Sequence, residues 1–279
     1  MTALEVLRQE LAEIDEELME LFLRRMEVIE RVASQKKETK GAIYVPQQEE
    51  RILARIQEQV PSDLTLYARS LQRTLMRLSR ERQYELLLLG EADVEGESKG
   101  VRAVAVVQNP RGDSLRLQES FYPQAQITEV TDLDSAYLQV EKGLVDLALL
   151  PMGDELLFRR EKHALYIQAC FMVDTKLYAA LGDTLRIPRN PGLISLLLEN
   201  QGGPELAQTL STLLTILSDL ELPVLQLRSL GQGALHLEFP TDPGETKGAR
   251  ALQQILQEAD DVYLVGWYDQ SFASISSQM

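Results

Sequence analysis

The chain is poor in the residues on which disulfide, metal and nucleophile chemistry is built. Among 279 residues there is one cysteine, Cys170. No disulfide framework can form, and a reducing compartment is the expected setting. The only histidines are His163 and His236, so a Cys/His metal cluster or a Ser-His-Asp triad is hard to assemble. No metal or cofactor is expected. Aromatic residues make up 6%, and base-stacking platforms are lacking. No apolar run approaches the ~20 residues of a membrane span. The N-terminus, MTALEVLRQELAEID, is charged from its fifth residue and does not read as a signal peptide. A cytoplasmic location is the expectation.

What the chain does have is acid. Its formal net charge of −15 argues against a nucleic acid or an anionic membrane as partner. The charge is uneven. Residues 1–90 carry 14 basic and 16 acidic side chains, a net of −2, and the remainder holds −13. An N-terminal segment that keeps its cations suits a small anionic ligand, although mixed charge on helical surfaces has the same look. The length fits two or three domains, and an apolar fraction of 44% is enough to form real cores.

Leu4, Leu7, Leu11, Ile14, Leu18 and Leu21 step by three and four, so residues 4–40 read as one amphipathic helix. The seam then meets Arg25 before continuing at Val28 and Val32. Pro46 opens a second helix to about Gln59, and VPSDLT restarts a third from about Leu64 to Leu89. At ~1.5 Å per residue the first helix is ~55 Å long, more than a small domain is wide. An intertwined homodimer is the economical way to cover it. GEADVEGESKG (90–100) reads as a linker. Beyond it come strands at 101–107, 126–130, 145–151, 164–173 and 176–181, with a helix over 131–143 capped at Thr131 or Asp132. This is the alternation of an α/β layer. The last stretch runs strand 193–199, helix 203–220, strands 224–230 and 234–239 around GQG, helix 246–259 and strand 261–268. That βαββαβ order is ferredoxin-like.

An arginine in an apolar seam is costly unless something anionic meets it. Arg25 and Lys36 are 11 residues apart, a net ~20° of helix rotation, so they share a face. Arg8 lies ~100° away around the helix and suits a neighbouring chain's site. Ser79 and Gln83 form an i,i+4 pair on the third helix, and Glu49 opens the second. Together they make a polar pocket for a dianionic organic substrate, one that works by electrostatics and confinement. Singly, each has a plainer account. Arg25 can snorkel or pair with Glu20 or Asp15, Glu49 and Glu50 complement a helix dipole, and Lys36, Ser79 and Gln83 suit a solvated face.

LRQELAEIDEELMELFLRRMEVIERVASQKK, YVPQQEERIL and LSRERQYELL resemble the all-helical chorismate mutase family. The resemblance spans residues 4–86. It implies a three-helix, intertwined dimer that rearranges chorismate to prephenate without a cofactor. It further implies that Arg25 and the partner chain's Arg8 meet the substrate carboxylates and that Lys36 and Gln83 bind the ether oxygen. Glu49 would then engage the ring hydroxyl, and Ser79 would line the site. Two positions depart: Val45 stands where the family often has an aspartate, and Gln48 where it commonly has an arginine.

In one common arrangement of that family a prephenate dehydratase domain and a phenylalanine-sensing ACT domain follow the mutase. VEKGLVDLALLPMGDE and VVQNPRGDS are similar to dehydratase stretches. Yet the Glu-Asn-Ser turn is replaced by Met152-Gly153-Asp154, and no Thr-Arg-Phe motif is present. Residues 101–190 are therefore expected to be an inactive, dehydratase-like remnant; an unrelated small α/β domain is the plainer account. With ENQGGPEL and VGWYD, residues 191–279 resemble an ACT domain, which implies phenylalanine binding near Gly203, Leu206 and Arg228; a structural, dimerising ACT-like unit is the other account. The expected domains are 1–90, a 91–100 linker, 101–190 and 191–279. Two other readings stand beside the mutase. One is a bifunctional mutase–dehydratase, disfavoured by the missing motif. The other is a non-catalytic regulator that keeps the mutase fold. A basic-helix nucleic-acid binder is opposed by the charge.

Overall fold

The computed structural model describes residues 2–88, 100–107, 112–159, 163–188, 191–199, 203–230, 233–242, 246–269 and 273–275. The expected linker lies almost wholly outside them, as do parts of the VVQNPRGDS and GQG stretches. The chain divides into two compact units, Met1–Asp93 and Val94–Met279.

The first unit is three helices. Helix α1 (Ala3–Thr39) opens on a capping box, Thr2 with Glu5, and closes in a left-handed Lys40 after Lys36 and Lys37. Both ends thus satisfy free backbone groups and complement the dipole. Helix α2 (Pro46–Gln59) starts on a proline whose fixed φ suits a first helical turn. Its N-cap, Val45, offers no side-chain acceptor. Helix α3 (Thr65–Leu88) packs against both. Buried Ala33, Ile43, Leu53 and Met76 fill the space between them. The seam of α1 turns inward only past Val28, which is itself 42% exposed. Ala33 is buried and Val32 half-buried, whereas Leu4, Leu7, Leu11, Ile14, Leu18 and Leu21 are each 47–61% exposed.

The second unit is built on one mixed sheet, in the order β2-β1-β3-β5-β4-β9-β6-β8-β7. Its first strands, β1 (Ala103–Val107), β2 (Gln126–Val130) and β3 (Leu147–Pro151), are parallel. They are linked by α4 (Asp113–Phe121) and α5 (Leu133–Glu141). Asp132 caps α5, accepting from the Ser135 N–H at 2.7 Å. After α6 (Asp154–Phe158), strands β4 (Tyr166–Val173) and β5 (Lys176–Gly182) form a hairpin that joins β3 in antiparallel register. Period-2 alternation sorts the core. Val104, Val106, Leu147 and Leu149 face α4, while Ala105, Ala148 and Leu150 face α5 and α6.

The rest of the chain runs β6 (Gly192–Leu198), α7 (Pro204–Asp219), β7 (Gln226–Ser229), β8 (Leu235–Thr241), α8 (Lys247–Glu258) and β9 (Val262–Asp269). The spatial order β9-β6-β8-β7 is that of a βαββαβ sandwich. Ile194, Leu196 and Leu198 meet α7 and α8 through Leu213, Ile216, Leu217 and Ile255. The expected boundary at 190/191 falls between β5 and β6, inside a sheet that runs on without a break. The join is a parallel pairing of β4 with β9 at Ile167 and Gly266. A Cβ on Gly266 would lie 2.5 Å from the Ile167 carbonyl oxygen, so only glycine lets the two backbones approach this closely. A short β10 (Ala273–Ile275) pairs with β4.

Candidate active site

One cavity of about 210 Å³ lies within the helical unit. Helix α1 supplies Arg25 and Lys36, and the entry to α2 supplies Val45, Gln48 and Glu49. Helix α3 contributes Met76, Ser79, Arg80 and Gln83, with Ile29, Val32, Ile43 and Ile52 as apolar walls. Seven of the eight residues that the sequence singles out in the helical segment line it. The eighth, Arg8, is exposed and sits 17 residues along α1 from Arg25, about 25 Å away. It does not reach this cavity within its own chain.

Each polar group is held. Arg25 Nη1 donates to the Leu75 carbonyl at 2.9 Å and to Ser79 Oγ. The Ser79 hydroxyl in turn donates to the Leu75 carbonyl at 2.6 Å. Burial lowers the Arg25 pKa, but a guanidinium stays charged at neutral pH. Lys36 Nζ donates to the Ile43 carbonyl at 3.0 Å, which fixes the ammonium at the cavity wall. Burial pulls its pKa below the ordinary lysine value, and the Glu49 carboxylate pushes it back up. Gln83 Nε2 donates to the Ser79 carbonyl at 3.0 Å, whereas its Oε1 is buried with no partner.

Glu49 forms an ion pair with Arg80, whose guanidinium lies over the Tyr44 ring, 4.9 Å from its centroid. Arg80 is the site residue that reading the sequence missed. The available signal is the stripe Met76, Ser79, Arg80, Gln83, spaced three, one and three, which is one face of a helix. With it the lining holds three cations and one carboxylate, a net of +2. The cavity can therefore bind a compact dianion and place an ammonium and an amide against any oxygen that gains negative charge.

In the second unit, Gly203 is the N-cap of α7, Leu206 packs partly buried against its core, and Arg228 is paired with Asp154 at 2.7 Å. Ser195 Oγ and His236 Nε2 are 2.7 Å apart and buried. The other ring nitrogen, Nδ1, faces the Arg228 guanidinium rather than a carboxylate. Burial and that charge push the His236 pKa down to about 4, which is the reverse of a triad histidine. Cys170 is buried, and its thiol pKa is raised. Among the described residues no group of three or more His, Cys, Asp or Glu is placed to hold a metal ion. No described helix is long and apolar enough to cross a membrane.

Residues 7–84 match the family model for chorismate mutase type II. No curated protein matches the chain. The solved structures it is similar to overlie about three-fifths of it. One is a prephenate dehydratase from Streptococcus mutans, with 12% identity, 62% of this chain and 100% of that one covered, and a TM-score of 0.48. A second is GqqA, described as a novel type of quorum quenching acylase, with 18% identity, 63% and 97% coverage, and a TM-score of 0.47. A third is a prephenate dehydratase from Arthrobacter aurescens in complex with L-Phe, with 9% identity, 60% and 90% coverage, and a TM-score of 0.46.

Proposed function

Taking the helical unit as the chorismate mutase type II domain that its family match makes it, we propose that the protein rearranges chorismate to prephenate. The observation that carries this reading is the convergence of Arg25, Lys36, Glu49, Ser79 and Gln83 on one cavity. Chorismate is a dianion, and the lining carries a net charge of +2. The reaction is a concerted shift in which the ether C–O bond breaks as a new C–C bond forms, with no proton, metal or cofactor involved. Confinement holds the enolpyruvyl chain folded over the ring. Arg25, fixed from one side by Leu75 and Ser79, meets a carboxylate. Lys36 and the second Nε2 hydrogen of Gln83 stabilise the charge that gathers on the ether oxygen. Glu49 accepts from the ring hydroxyl.

The active form is a homodimer. Six apolar residues of one α1 seam, Leu4 to Leu21, stand exposed in the single chain. Burying them is worth on the order of 10 kcal/mol, at ~1.5–3 kcal/mol for each fully covered side chain. The same seam carries Arg8 away from its own cavity, toward that of a second copy. The second unit is then a dehydratase-like remnant without dehydratase activity, followed by an ACT-like regulatory half. The βαββαβ order and the N-terminus of α7 at Gly203, where backbone N–H groups suit an amino-acid carboxylate, support the regulatory reading.

Incubation with chorismate tests the proposal. Its absorbance falls, prephenate accumulates, and no phenylpyruvate forms. Absence of chorismate loss overturns the mutase reading, and phenylpyruvate overturns the inactive-remnant reading. The pH profile carries a second expectation. Lys36 must be protonated to serve the ether oxygen, and burial lowers its pKa. Its charge is present at low pH and lost as pH rises, so kcat/KM falls on the alkaline side at a pH below the ordinary lysine range. Lys36→Arg moves that limb upward, because a guanidinium does not deprotonate there.

A further inference from the structure

We propose that Arg80 is a substrate-carboxylate ligand of this cavity and supplies, from α3, the positive charge that position 48 of α2 lacks. The inference rests on the mutase reading. Gln48 and Arg80 line the same cavity. Gln48 is neutral and immediately precedes Glu49, whereas Arg80 forms an ion pair with Glu49 from the opposite helix. The cation beside this carboxylate therefore comes from α3 and not from the α2 residue next to it.

Three observations support a binding role over a merely structural one. Arg80 follows Ser79 and precedes Gln83 by three residues, so it shares their helix face and their cavity. Its guanidinium is positioned twice, by Glu49 at one edge and by the Tyr44 ring on one face. A planar fork held in this way has little conformational freedom left to lose on binding a carboxylate. Charge is the third. Within one chain, before Arg8 of a second copy is counted, Arg25 and Lys36 against Glu49 leave the lining at +1, and Arg80 raises it to +2. Glu49 cancels part of the Arg80 charge in the empty site, which lets a buried arginine wait there at small cost.

The test is steady-state kinetics on chorismate with the full chain. Arg80→Gln raises KM by about 10–100-fold, the usual effect of losing one hydrogen bond to a charged group, while kcat stays within a few-fold. Uniform binding lost from substrate and transition state alike appears in KM. Adding Gln48→Arg to Arg80→Gln returns the cation to α2 and brings KM back toward wild type, a rescue that a purely structural residue would not show. Should Arg80→Gln fail to fold, Arg80→Lys decides. It keeps the charge but loses the fork, and KM rises several-fold. Wild-type turnover with unchanged KM in the folded Arg80 variant overturns this inference and leaves the mutase reading standing. A wild-type chain that does not consume chorismate overturns both.

Discussion

Lys36→Ala lowers kcat/KM for chorismate by about 10²- to 10³-fold, the cost typical of removing one donor aimed at a developing oxyanion. The loss falls mainly on kcat. The ether oxygen gains its charge only as the C–O bond breaks, so the Lys36 interaction is stronger in the transition state than in the bound substrate. The ammonium is positioned for this by the Ile43 carbonyl at 3.0 Å. Its removal leaves α1 intact, because Lys36 is only half-buried and near the helix C-terminus. Circular dichroism should match the wild type. Arg25→Ala is expected to cost as much but to divide differently. It removes a carboxylate ligand and also the donor that Ser79 Oγ accepts from, while Ser79 keeps its own bond to the Leu75 carbonyl, so KM rises as well. Turnover within threefold of wild type in a folded Lys36→Ala chain would sink the assignment.

Mixing two inactive variants restores activity. Arg8→Ala and Arg25→Ala homodimers each lack one arginine in both sites. An isologous dimer of one of each places both losses in one pocket and leaves the other whole. Random exchange gives mixed dimers for half of the population, each with one intact site of two, or about a quarter of wild-type turnover. The expectation follows from the ~25 Å that separates Arg8 from Arg25 along one straight helix. If Arg8 served its own chain, mixing would restore nothing. The paired variant Leu11→Glu/Leu18→Glu places charge in the exposed seam, so it sediments as a monomer and loses turnover with it.

Helices α1 and α2 were legible because the sequence carries both their period and their punctuation, Pro46 above all. Most strands were legible as short apolar runs. Helix α4 was not: Gly112 caps it without a side-chain acceptor, which leaves Asp113 in the first turn as a weak start signal. The grouping of Arg25 with Lys36 follows from helical arithmetic alone. Arg80 escaped because an arginine among charged neighbours, in RERQ, reads as solvated until the face it shares with Ser79 and Gln83 is known. The continuity of the second unit's sheet had one cue, the glycine inside VGWY. A glycine in a strand marks close backbone approach but does not say which strand approaches.

That glycine sits on the strand that completes the second unit from its middle. Strand β9 lies between β4 and β6, yet it is nearly the last strand to be synthesised. Until it arrives, the parallel half ends at β4 and the βαββαβ half at β6, each with an open edge. The two halves are sequential in the chain but share one strand in space. Neither half has its final neighbour strand before residues 262–269 are in place, so closing this sheet is a pairing between segments far apart in the chain.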